Sequence, residues 1–74
     1  MSHVVAIGEQ ERVRGFALAG VDVAVADDPA SARAAWESLT PEVALVILTP
    51  VAHEALAASE LDPRGQRLWV VSPE

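Results

Sequence analysis

The residues that could do chemistry are few, and the most evident are two acidic pairs. Glu9 and Glu11 are separated by one residue, and Asp27 is followed directly by Asp28. Acid–base catalysis by paired carboxylates needs an apolar pocket that raises one pKa, and no such pocket is evident around either pair. Two neighbouring carboxylates on one loop also supply too few oxygen ligands for a divalent cation. We therefore expect Asp28 to cap a helix rather than to bind a metal.

Other reactive arrangements are equally sparse. His3 and His53 are the only imidazoles, and neither has an evident partner for metal binding or catalysis. The chain contains no cysteine, which excludes disulfides, thiolate metal sites and a cysteine nucleophile. It also lacks the glycine patterns of nucleotide-binding loops and of the serine nucleophile elbow. We predict that the protein is not an enzyme and has no metal or cofactor.

Gly8 stands where an apolar run gives way to a helical pattern. A junction of this kind can bind phosphate, because backbone N–H groups at a helix N-terminus point towards an anion. Glu9 and Glu11 would repel a phosphate, so a tight turn is the favoured role for Gly8. A phosphorylated receiver domain would need an aspartate after the third strand and a late lysine. The third apolar run ends in Leu-Thr and the chain has no lysine, which excludes that class.

The segments that carry these residues alternate between strand and helix. Four short apolar runs are typical of strands buried in a parallel sheet, and helical spacing fills the three intervals between them. Asp28-Pro29 and Thr49-Pro50 each place a capping residue before a proline, the usual start of a helix. The predicted strands are His3–Ile7, Val21–Ala26, Val43–Leu48 and Arg67–Val71; the predicted helices are Glu9–Ala19, Pro29–Leu39 and Val51–Ser59, with a turn at Glu60–Gln66.

This alternation predicts an α/β fold with right-handed crossovers. We expect a single flavodoxin-like, three-layer βαβαβαβ domain over residues 1–74, with a four-stranded parallel sheet in the order 2-1-3-4. Gly20 is expected to end the first helix. The predicted inner stripes are Val13, Phe16, Ala17 and Gly20 on the first helix, and Ala32, Ala35, Trp36 and Leu39 on the second.

Composition narrows the classes of partner. The net charge is −6, and the five basic residues, all arginine, are scattered among eleven acids. Nucleic-acid binding needs a clustered basic face, so we do not expect it. The longest apolar stretch, Val43–Leu48, is far shorter than a membrane span, and no signal-like segment opens the chain. We expect a soluble, cytoplasmic protein without direct membrane insertion.

The stretch Val5–Val21 reads VAIGEQERVRGFALAGV. It resembles the N-terminal signature of the F subunit of the V/A-type rotary ATPases, in which a strand ending in Ile-Gly is followed by a helix carrying Gly-Phe-x-Leu-Ala-Gly. The later layout, an Ala-rich helix after Asp28-Pro29 and then an apolar strand, is also similar. The residues that match the family motif are Gly8, Gly15, Phe16, Leu18, Ala19 and Gly20.

The resemblance implies a non-catalytic central-stalk subunit that docks on the coiled-coil stalk subunit within the catalytic hexamer. Proton transport coupled to ATP synthesis or hydrolysis would belong to the whole complex. Family members are usually longer and have a C-terminal helix that lies along the stalk. This sequence stops just after the fourth predicted strand, so a regulatory role of that helix cannot be transferred to it. Two alternatives remain: a self-associating flavodoxin-like module, and a small-molecule sensor at the strand ends near Gly8 and Thr49. Gly15, inside the first helix, is expected to allow close packing on the sheet, with Phe16 filling the adjacent space.

The predicted topology leaves one face of the third and fourth strands without a helix. Both faces of these strands are apolar, and an exposed apolar patch usually marks an interface. We therefore predict that a partner or a second copy covers this face, with Trp69 near its centre. The predicted interface residues are Leu68, Trp69, Val70 and Val71.

Overall fold

A computed structural model describes residues 3–57 and 68–72. Within these ranges, four strands and three helices alternate, as the sequence pattern predicts. The turn predicted at 60–66 lies outside the described residues. The strands are β1 (His3–Gly8), β2 (Asp22–Val25), β3 (Val43–Leu48) and β4 (Leu68–Val71), and the helices are α1 (Gln10–Leu18), α2 (Pro29–Glu37) and α3 (Pro50–Ala57).

The sheet is parallel throughout and has the order β2-β1-β3-β4, so the predicted flavodoxin-like topology is confirmed. The register aligns Ile7 of β1 with Leu48 of β3, and Val46 of β3 with Trp69 of β4. Side chains that are paired in register point to the same face of a sheet. The register therefore settles which residues of β3 and β4 share a face.

The larger core lies between the sheet and the pair α2 and α3, which pack against each other. Ile7, Val46 and Leu48 are fully buried there, and Trp36 packs against them. The inner stripe predicted for α2 is correct, because all four of its members belong to this core or pack on it. Helix α1 packs on β1 and β2, where Val13 and Ala6 are buried outside that core.

Helix α1 ends in a backbone arrangement that requires glycine. The N–H of Gly20 donates to the carbonyl of Ala17, and the N–H of Val21 donates to the carbonyl of Phe16. These two bonds form a Schellman motif, whose glycine adopts the left-handed conformation. Gly20 has a φ of +89°, which confirms its predicted role at the end of the helix.

Two details predicted for α1 are wrong. Gly15 faces open space, with no atom within 4 Å of the position a Cβ would take, so it does not allow close packing on the sheet. Ala17 and Gly20 are exposed, while Val13 is buried and Phe16 is half-buried. The reason is that α1 covers two strands only, so one narrow stripe of its surface meets the sheet.

The predicted helix caps are present. The side chain of Asp28 accepts a hydrogen bond of 2.7 Å from the N–H of Ser31, and Pro29 follows at the first helical position. This bond lowers the pKa of Asp28, because the backbone donor stabilises the carboxylate form. The boundaries differ from the predicted ones by one or two residues where they can be compared, since helix ends fray and the last turns of α1 and α2 close with shorter bonds.

Two alanine substitutions in α1 should change stability in opposite directions. Gly15→Ala should stabilise the domain by about 0.5–1 kcal/mol, because it adds helix propensity in open space. Gly20→Ala should destabilise it by about 1–2 kcal/mol, because an L-residue is strained at positive φ. Urea unfolding followed by circular dichroism measures both variants. A stabilising Gly20→Ala substitution would contradict the assigned end of α1.

Candidate functional site

The carboxyl ends of β1 and β3 lie side by side, and Thr49 connects them. Thr49 is the first residue after β3 and is 1% exposed. Its hydroxyl donates to Oε1 of Glu9 at 2.5 Å and accepts from the N–H of Ala52 at 3.3 Å. The second bond makes Thr49 the N-cap of α3, as its position before Pro50 predicts. One side chain thus satisfies a helix terminus and a carboxylate.

Gly8 is required at this point by the packing of Thr49. A Cβ built on Gly8 would lie 2.8 Å from the Cβ of Thr49 and nearer still to its γ atoms. Contacts this short do not occur between real side chains, and neither the Cβ nor the short side chain of threonine can move far. The predicted turn role of Gly8 is therefore incomplete, because Gly8 is the last residue of β1 and makes room for a neighbouring strand end.

Glu9 places a carboxylate at the start of α1. Its side chain is 24% exposed and forms an ion pair of 3.1 Å with Nε of Arg12. The hydrogen bond from Thr49 is the main cause that lowers the pKa of Glu9, and Arg12 contributes in the same direction. The backbone N–H of Gln10 donates to Asp27 at 3.3 Å. An incoming phosphate would meet two carboxylates here, so this helix terminus is unsuited to binding an anion.

The candidate metal ligands of the described residues do not form a cluster. Within residues 3–57 and 68–72, no three histidine, aspartate or glutamate side chains converge to hold a metal ion. Nδ1 of His3, in β1, lies 3.7 Å from Oδ2 of Asp22, in the edge strand β2. None of the helices in these ranges has the length and apolar character needed to cross a bilayer.

Besides the contacts of Thr49, the described residues form an apolar surface on the same side of the sheet as α1. Leu45 pairs with Leu68 and Ile47 pairs with Val70, and these four residues point away from the core that contains Val46. We call them the open face. Leu68 is 73% exposed and Val70 is 48% exposed, while Leu45 and Ile47 are half-buried. The bare face predicted for β3 and β4 is thus present in the described residues.

The position predicted for Trp69 is wrong. Trp69 pairs with Val46 and packs against the core under α2 and α3, and its ring centroid lies 5.2 Å from that of His53. Val71 pairs with the buried Leu48 and is therefore on the same side as Trp69. Successive strand residues alternate faces, so only Leu68 and Val70 of the four predicted interface residues belong to the open face.

The residues of the family motif fall into two groups. Gly8 and Gly20 have the structural reasons given above, and half-buried Phe16 accepts the closing hydrogen bonds of α1. The other three lie on the exposed surface, where Leu18 is 89% exposed. Nothing in the packing of the residues that the structure describes explains this exposed group, which consists of Gly15, Leu18 and Ala19.

Comparison with known proteins identifies one family. The sequence model of the family described as ATP synthase (F/14-kDa) subunit matches residues 4–70, nearly the whole chain. The cluster of Gly8, Glu9 and Thr49 and the open face both lie within this range, together with all of β2 and β3. No curated protein matches the chain significantly.

The hydrogen bond between Thr49 and Glu9 should make the free energy of unfolding depend on pH in the acid range. The native pKa of Glu9 lies below its ordinary value of 4.5, so its contribution is present above pH 4.5 and is lost as the pH falls through the native pKa. Thr49→Val removes the hydroxyl and should cost about 1–2 kcal/mol at pH 7, and this cost should become smaller as the pH falls through the native pKa of Glu9. Urea unfolding at a series of acid pH values measures the change.

Thr49→Ser is the matched control, because it keeps the hydroxyl and should retain the pH dependence of the native protein. In a Glu9→Gln background, the pH-dependent part of the Thr49→Val cost should disappear. A cost of Thr49→Val that does not change with pH, in a series that extends low enough to protonate Glu9, would show that Thr49 acts only as a helix cap.

Proposed function

The chain belongs to the family described as ATP synthase (F/14-kDa) subunit, and we propose that it is a non-catalytic component of the central rotor stalk of a V/A-type proton-translocating ATPase. The observation that carries the proposal is the family match, which extends over nearly the whole chain and over the sheet that the structure describes. The match concerns a subunit of an ATP synthase, and the V/A type and the stalk position are our inference from the motif around Gly8 and Gly20.

A non-catalytic role is supported by what the polar groups do. Thr49 and Glu9 bond to each other, Asp28 caps α2, and Asp27 accepts from the start of α1. Each of these groups has a structural partner at a helix terminus or a strand end. Thr49 and these three carboxylates are therefore engaged in holding the fold together.

The proposed partner is the coiled-coil subunit of the central stalk, seated within the catalytic hexamer. This chain would then be peripheral to the membrane, on its cytoplasmic side, and would bind no nucleotide itself. The open face supports a docking role, because exposed apolar surface on a small domain is usually covered in its working state.

A second candidate is a self-associating module that works without an ATPase. The observation that favours it is again the open face, since a second copy could cover apolar surface as well as a partner could. Genes for rotary ATPase subunits beside the gene for this chain would favour the stalk role.

Co-expression tests the proposal. The chain, produced together with the same genome's coiled-coil stalk subunit, should elute from a sizing column as one equimolar complex. The purified chain alone should hydrolyse no ATP and should show no thermal shift with nucleotide. An unrelated coiled-coil protein of similar length is the control for non-specific apolar binding.

Two results would contradict the proposal. One is failure to form a complex with any subunit of the rotary ATPase encoded in that genome. The other is equal binding to the stalk subunit and to the unrelated coiled coil.

A further inference from the structure

In the part of the chain that the structure describes, the uncovered area beside α1 is one helix wide. Neighbouring strands lie about 4.8 Å apart and a helix with its side chains is about 10 Å across, so one helix covers two strands. Helix α1 covers β1 and β2 in this way, and α2 and α3 together cover the opposite side. On the side of α1, the described residues thus leave room for one more helix over β3 and β4.

The length and chemistry of the open face also fit a helix. Four residues of β3 pair with four of β4, a length of about 13 Å, which about nine helical residues span. Helices α1 and α2, which cover the same sheet, have 9 residues each. The side chains of the open face are all aliphatic. A helix with an apolar stripe at positions i, i+3, i+4 and i+7 would bury them.

Charge argues against a second copy as the occupant. The chain carries a net charge of −6, so two copies would repel each other at close range. Glu42, directly before β3, adds an exposed acidic side chain at one end of this strand. A helix with basic residues beside its apolar stripe would be complementary to this end and to the acidic chain as a whole.

The small area of the open face is a second argument against a second copy as the occupant. A stable interface between two proteins buries about 800 Å² on each partner. The open face is about 10 Å by 13 Å, which is several times smaller. It is therefore too small to hold two copies together by itself, but it can hold one helix of a partner that makes further contacts elsewhere.

We propose that the open face is the seat of one amphipathic α-helix of the partner subunit, lying beside α1 and bearing basic residues on the flanks of its apolar stripe. The proposal rests on the proposed function for the identity of the partner, the coiled-coil stalk subunit. It adds which surface binds and what kind of segment binds there. Trp69, on the opposite side of the sheet, has no part in this contact.

Single-cysteine labelling tests the proposal, since the chain has no cysteine of its own. Leu68→Cys carries an environment-sensitive fluorophore on the open face, and Val51→Cys carries it on α3, an exposed site on the other side of the sheet. Addition of the coiled-coil stalk subunit should shift the emission of the Leu68 label to the blue. In the unlabelled Leu68→Cys variant, it should slow thiol modification at least about tenfold. The Val51 label should change little.

Paired substitutions provide a second measurement. Val70→Thr and Val71→Thr are the same change at neighbouring positions of β4 that face opposite sides of the sheet. Combined with Leu68→Thr, Val70→Thr should weaken the affinity for the stalk subunit about tenfold or more, because two apolar side chains lose their burial. Val71→Thr should leave the affinity within about twofold. Circular dichroism checks that each variant remains folded.

The outcomes separate this proposal from the proposed function. If the complex forms but the Leu68 label is unchanged and the double variant Leu68→Thr, Val70→Thr binds as tightly as the native chain, the surface assignment fails and the stalk role stands. If no complex forms, both fail together. If sedimentation shows concentration-dependent dimers in which the Leu68 label is protected, the occupant is a second copy and the partner helix is excluded.

Discussion

The contact between Gly8 and Thr49 is the point on which the arrangement of this domain depends. Gly8 ends β1, Thr49 follows β3, Glu9 precedes α1 and Thr49 caps α3, so four elements meet within one cluster of atoms. The absence of a side chain at Gly8 allows a β-branched residue to lie against its backbone. The hydroxyl of Thr49 then reaches both Glu9 and the first turn of α3. In a domain whose core is largely alanine, valine and leucine, this polar junction provides directional bonds that aliphatic packing cannot.

The order of the strands around this junction determines the asymmetry of the two sides of the sheet. Because β1 leads through α1 to β2 at one edge, α1 covers the β1–β2 half of its side. The chain then crosses β1 through α2 and adds β3 and β4 at the other edge, with α2 packed on β1 and β2 and α3 packed on β1 and β3. Right-handed crossovers permit no other arrangement for this strand order. The open face is therefore a consequence of topology and not of a local defect in packing.

Much of the fold could be predicted from the sequence, because its signals are local. The apolar run of Val43–Leu48, the cap at Asp28 and the glycine at Gly20 each specify their element without reference to the rest of the chain. The open face could be predicted only in part, because its residues depend on the register in which β3 and β4 pair. The sequence pattern places Trp69 on the bare side, and only the alignment of Trp69 with Val46 shows that it faces the core. The pairing of Thr49 with Glu9, 40 residues apart, has no local signal at all.

The distribution of burial suggests how docking and stability would be related in this domain. A chain of this length buries only about 60% of the surface that its unfolded form exposes, so its margin of stability is small. Leu68 and Val70 remain largely in water in the isolated domain. Any partner that covers them binds the folded chain and not the unfolded one, and it therefore raises the apparent free energy of unfolding by mass action. A short α/β domain whose open face is covered by a partner can in this way be adequately stable within a complex while having little stability outside it.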